Sequence, residues 1–209
     1  MTKPFTFWDK IARKYAKRPV ADPDSYENTL ASTARHLNKT DSVLEIGCGT
    51  GTTALRLAKL VGHITASDFS QSMLDIAVEK AREQKADNMD FVQTSLRDGH
   101  LDGQKYDRVL AFNLLHLVDD LESYLALVHD HVLPGGLFIS KTACLEEDYR
   151  WFKPVLWIMQ RLRGWPFVRF LTIRDLENII ANAGFELVEA VNHPANKPKR
   201  FIVARKPVS

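Results

Sequence analysis

Val43-Leu44-Glu45-Ile46-Gly47-Cys48-Gly49-Thr50-Gly51 reads as a short buried strand running into a turn with glycine at every second position. Glycines so spaced let the backbone turn tightly and let a ligand approach with no Cβ in the way. Thr52 to Val61 follows with Leu55, Ala58 and Leu60 at apolar helical positions. The first N–H groups of such a helix have no partner within it and face the turn. Strand, glycine turn and helix N-terminus together form the ligand crevice of an α/β sheet.

Working outward, the pattern alternates. Strands are expected at Ser42–Ile46, His63–Ser67, Met89–Gln93, Tyr106–Phe112 and Leu137–Thr142, with a closing pair at Phe185–Val191 and Arg200–Arg205. Between them lie a helix capped by Ser70 and running to about Lys85, and one over Asp119–Leu133 stopped by Pro134-Gly135-Gly136. A further helix opens on the capping box Thr172-x-x-Asp175 and ends at Gly184. Ahead of the first strand, Phe5–Lys17 is amphipathic, and Asp22-Pro23 caps and opens a helix to about Asn38. Strands alternating with helices imply right-handed βαβ units. The expected fold is α/β: a doubly wound, Rossmann-like, seven-stranded sheet, mostly parallel with an antiparallel C-terminal strand, helices on both faces. At 209 residues and 45% hydrophobic content it is expected to be one domain over 1–209.

The balance of charge excludes some functions. A formal net charge of +2 gives no basic stripe for nucleic acid, and the one dense basic run, Lys197–Arg200, reads as a solvated strand entry. Two cysteines, Cys48 and Cys144, make neither a disulfide framework nor a metal-ligand spacing, and the seven histidines form no cluster. No metal is expected. A reduced, cytoplasmic setting follows, and neither a signal-peptide core nor an apolar run of spanning length is visible.

The spacing of the glycines separates two ligand classes. A dinucleotide fingerprint needs G-x-G-x-x-G/A; here the third position is Thr52, while G-x-G-x-G is satisfied by Gly47, Gly49 and Gly51. Glu45, just before the first glycine, would be ill placed beside a pyrophosphate but suits an ammonium group. Asp68, ending the second strand, can accept two hydrogen bonds from a ribose diol. Its alternative role is to cap the helix that follows.

This constellation resembles the class I S-adenosylmethionine (SAM)-dependent methyltransferases, in particular the small bacterial enzymes like the ubiquinone and menaquinone methyltransferases. The first motif is carried by 43–51 and the second by Ala66-Ser67-Asp68-Phe69-Ser70 with Met73. Tyr106–Leu110 and Leu133–Gly136 carry the later strand signatures, so the resemblance covers nearly the whole chain. It implies SAM as cofactor, with Glu45, Gly47, Cys48, Gly49 and Gly51 around the methionine moiety, Asp68 on the ribose, and Phe69 and Met73 at the adenine. Where the family often has Gly-Asp-Ala, this chain has Thr94-Ser95-Leu96, so adenine recognition is expected to fall to Ser95 and the backbone of Leu96. Asn113, after the fourth strand, is expected at the sulfonium.

Methyl transfer from a sulfonium asks the protein chiefly for alignment and desolvation. His116 is a candidate general base, with a packed histidine at a helix start as the alternative. Phe112-Asn113-Leu114-Leu115-His116 lacks the Asp/Asn-Pro-Pro-aromatic motif of nucleobase amino methyltransferases. The leading helices, about 5–38, resemble a lid, in which Tyr15 would sit near the methionine end; core packing of its aromatics is the alternative. An insertion at about 145–171 reads as a substrate cap carrying Trp151, Trp157 and Trp165, with Lys153, Arg161, Arg163 and Arg169 as its cations over 151–171. Such a cap suits an apolar or aromatic acceptor; a membrane-surface contact through 151–171, a cap packed on its own core and a dimer interface are the other readings. The implied function is a small-molecule methyltransferase, monomeric or homodimeric. A non-catalytic SAM-binding protein of the same fold is the alternative, and the missing third glycine disfavours an NAD-linked oxidoreductase.

Overall fold

In the computed structural model, residues 4–163 and 165–208 are described, with side chains from residue 7 onward except those of 147 and 163. Two helices, α1 (Pro4–Ala16) and α2 (Pro23–Ala34), precede β1 (Ser42–Ile46). Then come α3 (Thr52–Ala58), β2 (His63–Asp68), α4 (Gln71–Glu83), β3 (Met89–Gln93), β4 (Tyr106–Phe112), α5 (Leu121–His131) and β5 (Val132–Ala143). The chain closes with α6 (Leu145–Tyr149), α7 (Lys153–Arg163), α8 (Ile173–Asn182), β6 (Glu186–Asn192) and β7 (Lys199–Arg205). The sheet order is β3-β2-β1-β4-β5-β7-β6. Pairs among β1 to β5 are parallel and β7 runs antiparallel to both its neighbours, as the sequence implies. Strand order reverses between β1 and β4, which puts a crevice beyond their C-terminal ends.

Alternate residues of each central strand feed two cores. Leu44, Ile46, Val109, Ala111, Phe138 and Ile202 pack on the α5–α8 side. Val43, Leu110, Ile139, Phe201 and Val203 pack on the side of α2 and α3. A strand covered on both faces needs apolar residues at nearly every position. The polar exceptions in such a strand therefore stand out, and two of them, Glu45 and Lys141, open onto the crevice.

Side-chain caps set several boundaries. Asp22 accepts from Ser25 N at 3.1 Å to open α2, and Ser70 accepts from Met73 N at 3.3 Å to open α4. Thr172 and Asp175 cap each other at 3.0 and 3.2 Å. Two helices end earlier than periodicity suggests. Asp41 accepts from Asn38 N at 2.8 Å and closes a turn after α2. The Asn88 amide donates to the Ala58 and Val61 carbonyls at 2.9 and 3.2 Å, closing α3.

Pro134-Gly135-Gly136 does not stop α5; that helix ends at His131 and β5 starts at Val132. The Pro-Gly-Gly stretch is an excursion inside the strand. Register jumps from Tyr106↔Val132 to Arg108↔Leu137, and Gly135 N bonds to Lys206 O at 2.8 Å. Gly136 leaves room that a Cβ would fill, because Asp107 O lies 2.8 Å from that position.

Candidate functional site

A cavity of about 1030 Å³ opens at this crevice. Its wall combines the glycine turn, the ends of β2, β4 and β5, residues of α1 and α2, and Pro166 and Phe167 from the segment before α8.

The three glycines of the turn serve different ends. All have left-handed φ, +67° at Gly47, +54° at Gly49 and +70° at Gly51, which side chains with a Cβ adopt at a cost. Cys48 N donates to Ser67 O at 2.9 Å and ties the turn to β2. A Cβ on Gly47 would meet Leu114 Cδ1 at 2.9 Å, whereas one on Gly49 would meet nothing within 4 Å. The space over Gly49 is open to a ligand. Gly51 is away from the cavity wall; a Cβ there would lie 2.8 Å from Ala77 Cβ, so this glycine brings α3 against α4.

Two carboxylates flank the turn. Asp68 Oδ2 accepts from Gly49 N and Oδ1 from Ser70 N, both at 2.9 Å. Burial raises its pKa, and the backbone amides oppose that rise. Each oxygen keeps a lone pair for a further donor. Glu45 is 2% exposed, and its Oε2 is buried with no hydrogen-bond partner. Burial first and the Asp68 charge second push Glu45 up to about 8. A buried carboxyl left unpaired is costly and calls for a donor. An ammonium group entering over Gly49 would supply one.

Phe69 and Met73 line the wall beyond Asp68. Gln93, Thr94 and Ser95 continue it, with Thr94 N donating to Asp68 O at 3.0 Å. Leu96 does not reach the wall; it is 3% exposed and packs in the α5-side core. Arg97 and Asp98 reach it instead. Asp98 accepts from Ser95 N at 2.8 Å and Ser95 Oγ from Arg97 N at 3.2 Å, a reciprocal cap. The Ser95-x-x-Asp98 spacing was the available signal for this turn.

Tyr15 and Trp8 of α1 line the cavity, their rings edge-on at 6.2 Å. Trp8 in turn meets Phe7 at 5.3 Å, and Phe7 meets Trp165 at 6.0 Å, joining α1 to the segment before α8. Asp9 fixes α1 on the N-terminus of α4: its Oδ1 accepts from Ser70 Oγ at 2.6 Å and from Ser72 N at 3.2 Å. A carboxylate is favoured at that end of a helix.

Residues 43–136 match the family model described as a methyltransferase domain. Over that stretch the chain is similar to methyltransferase domains. A highly reducing polyketide synthase NEC1 of Pyricularia oryzae is 31% identical over 147 residues, 64% of this chain and 5% of that protein. The ubiquinone biosynthesis O-methyltransferase of Rickettsia akari is 23% identical over 169 residues, 78% of this chain and 65% of that protein. The chain thus spans less than two thirds of either relative. The solved DhpI–SAH complex superposes with a TM-score of 0.75 at 22% identity, covering 99% of this chain and 96% of that one, a likeness of fold.

Within the matched stretch, Asn113 is on the wall, just past β4, with a left-handed φ of +55° and its N–H on Lys141 O at 2.8 Å. His116 is not on the wall. Its Nδ1 is buried without a partner, and burial lowers its pKa to about 4, so it is a weak base. Trp151, Trp157 and Trp165 do not line the cavity either; the first two are 72% and 62% exposed. Their segment returns to the wall through Pro166 and Phe167. Arg169 anchors it, donating to both carboxylate oxygens of Glu122 at 2.9 and 2.8 Å and, by its N–H, to His116 O at 2.7 Å.

Sequence reading passed over Lys141. It is 7% exposed, lines the cavity, and donates to Ser25 O, Ser25 Oγ and Thr29 Oγ1 at 3.2, 2.9 and 2.8 Å. Burial, then the Lys199 charge, lowers it to about 8. No local signal set it apart, because its strand neighbours Ser140 and Thr142 are polar and buried as well.

Proposed function

We propose that this chain transfers the methyl group of SAM to a small acceptor with an apolar or aromatic body, by in-line displacement. The unpartnered Glu45 carboxyl beside the open space over Gly49 carries the reading, because that pair of features asks for an ammonium and a close backbone passage at once. Glu45 would receive the ammonium of the methionine moiety, which passes along Gly47, Cys48 and Gly49. Asp68 would hold the ribose diol with the lone pairs its backbone amides leave over. Phe69 and Met73 would enclose the adenine, with Thr94 and Ser95 at its edge. SAM, when bound, supplies an electrophilic methyl on a sulfonium.

The rest of the work falls to alignment and exclusion of water. Tyr15 and Trp8 cover the methionine end from the lid, residues 5–38, which Asp9 secures to α4. Asn113 presents its amide from a constrained backbone at the sulfonium. Phe112, Leu114, Val118 and Phe167 form the apolar wall for the acceptor, with Pro166 beside them. The tryptophans exposed on the cap over 145–171, interleaved with Lys153 and Arg161, suit contact with a membrane surface from which such an acceptor is drawn. Among the described residues no helix is long and apolar enough to cross a membrane.

The test is a survey of apolar and aromatic acceptors with methyl-labelled SAM, products identified by mass. Enzyme-dependent methylation of a member of that class is expected. Tight SAM binding with no transfer to any acceptor would instead support a non-catalytic SAM-binding protein.

A further inference from the structure

Lys141 on β5 and Lys199 on β7 both line the cavity, as do Glu45 and Asp68 at the glycine turn. Lys141 stands directly across from Phe201, so Lys199, two residues from Phe201, lies diagonal to it on the same face. Two ammonium groups so placed repel each other, and the Lys199 charge disfavours the charged form of Lys141. The acids nearby offset the Lys141 charge only in part. Asp22, which acts on Lys141 by charge, is committed to capping α2. Asp119, further along the wall, is paired with Arg97 at 2.8 Å. No ion pair forms on Lys141 or Lys199 among the described residues. In strand order, the glycine turn and its acids sit at β1 and β2, whereas the lysines sit beyond β4.

We propose that the acceptor carries an oxyanion, of carboxylate or phosphate class, and that the Lys141–Lys199 corner receives it. The inference rests on the methyltransferase reading and adds the charge of the substrate to it. Lys141 has its three hydrogens on α2, so it acts there as a fixed charge, and Lys199 makes the direct contact. The cavity is then polar along its length: Glu45 and Asp68 face the cationic and hydroxylated parts of the cofactor, and the lysines face an anionic acceptor. An apolar middle, with Phe112 and Leu114, separates the two ends.

Calorimetry on protein saturated with S-adenosylhomocysteine tests this with three probes of similar shape: benzoate, phenyl phosphate and neutral benzamide. At least one anion is expected to bind about tenfold more tightly than benzamide. Lys199→Met is expected to cut that preference about fivefold or more while leaving S-adenosylhomocysteine affinity unchanged. This variant leaves the Lys141 contacts with α2 intact, so loss of folding does not confuse the result. Anions binding no better than benzamide, or a preference that survives Lys199→Met, would overturn the proposal. If S-adenosylhomocysteine does not bind, the methyltransferase reading falls, and the same titrations on unloaded protein decide the anion subsite separately.

Discussion

Glu45→Gln separates the two demands made on the buried carboxyl. With Glu45 pushed up to about 8 from its ordinary 4.5, the folded protein binds a proton there that the unfolded chain releases. The stability that goes with the neutral form is therefore complete below about 4.5 and is lost as pH rises towards 8. At pH 7 the loss amounts to about 3 kcal/mol. Glutamine does not titrate, so the unliganded variant should lack that decline. Asp68, also raised, contributes to both proteins and drops out of the difference. Urea unfolding from pH 4.5 to 8 is the assay. The variant should gain about 3 kcal/mol on the wild type between pH 4.5 and 7, whatever fixed cost the amide carries. On the binding side, an ammonium drawn onto Glu45 at pH 7 should expel close to one proton. Titrations of SAM in two buffers of different ionisation heat should show it for the wild type and not for Glu45→Gln. Parallel pH profiles together with equal proton release would refute the reasoning.

Other changes probe the rest of the wall. Asp68→Ala should weaken SAM binding by about 1–3 kcal/mol through the lost charge-assisted bonds, read by calorimetry, and unchanged affinity would remove Asp68 from the ribose. Gly49→Ala and Gly51→Ala should divide by readout. Both carry the cost of a Cβ at left-handed φ; the first otherwise adds it to open space and should act further on SAM affinity, whereas the second also drives it into Ala77 and should lower stability by about 1–3 kcal/mol more. Trp157→Ala should reduce co-sedimentation with vesicles of anionic lipid if the cap meets a membrane, with folding checked by circular dichroism; equal co-sedimentation would count against that role.

Much of the fold was legible because its signals are local. β1, β3 and β4 start and stop where their apolar runs do, and Asp22, Ser70 and Thr172 announce helices by side chains that bond within three residues. Glu45, Asp68 and the glycine turn were legible for a related reason: all lie at strand ends that the parallel topology gathers at one crevice. What local reading missed depends on distant partners. Pro134-Gly135-Gly136 ends helices elsewhere, yet here the Gly135 N–H finds Lys206 and the stretch stays in the sheet. Lys141 is held by α2, more than a hundred residues earlier, and nothing near it in sequence marks its role. Gly51 and Leu96 belong to motifs that line the cavity, but packing against Ala77 and the α5-side core turns them away. Trp151 and Trp157 follow the same rule in reverse, since richness in tryptophan says how apolar a segment is and not which side it shows.

The most direct test of the central claim is calorimetry of the unmodified protein against SAM, S-adenosylhomocysteine and NAD under one set of conditions. The account predicts saturable binding of the first two at one site per chain and none of NAD. Binding of NAD with no binding of SAM would contradict it.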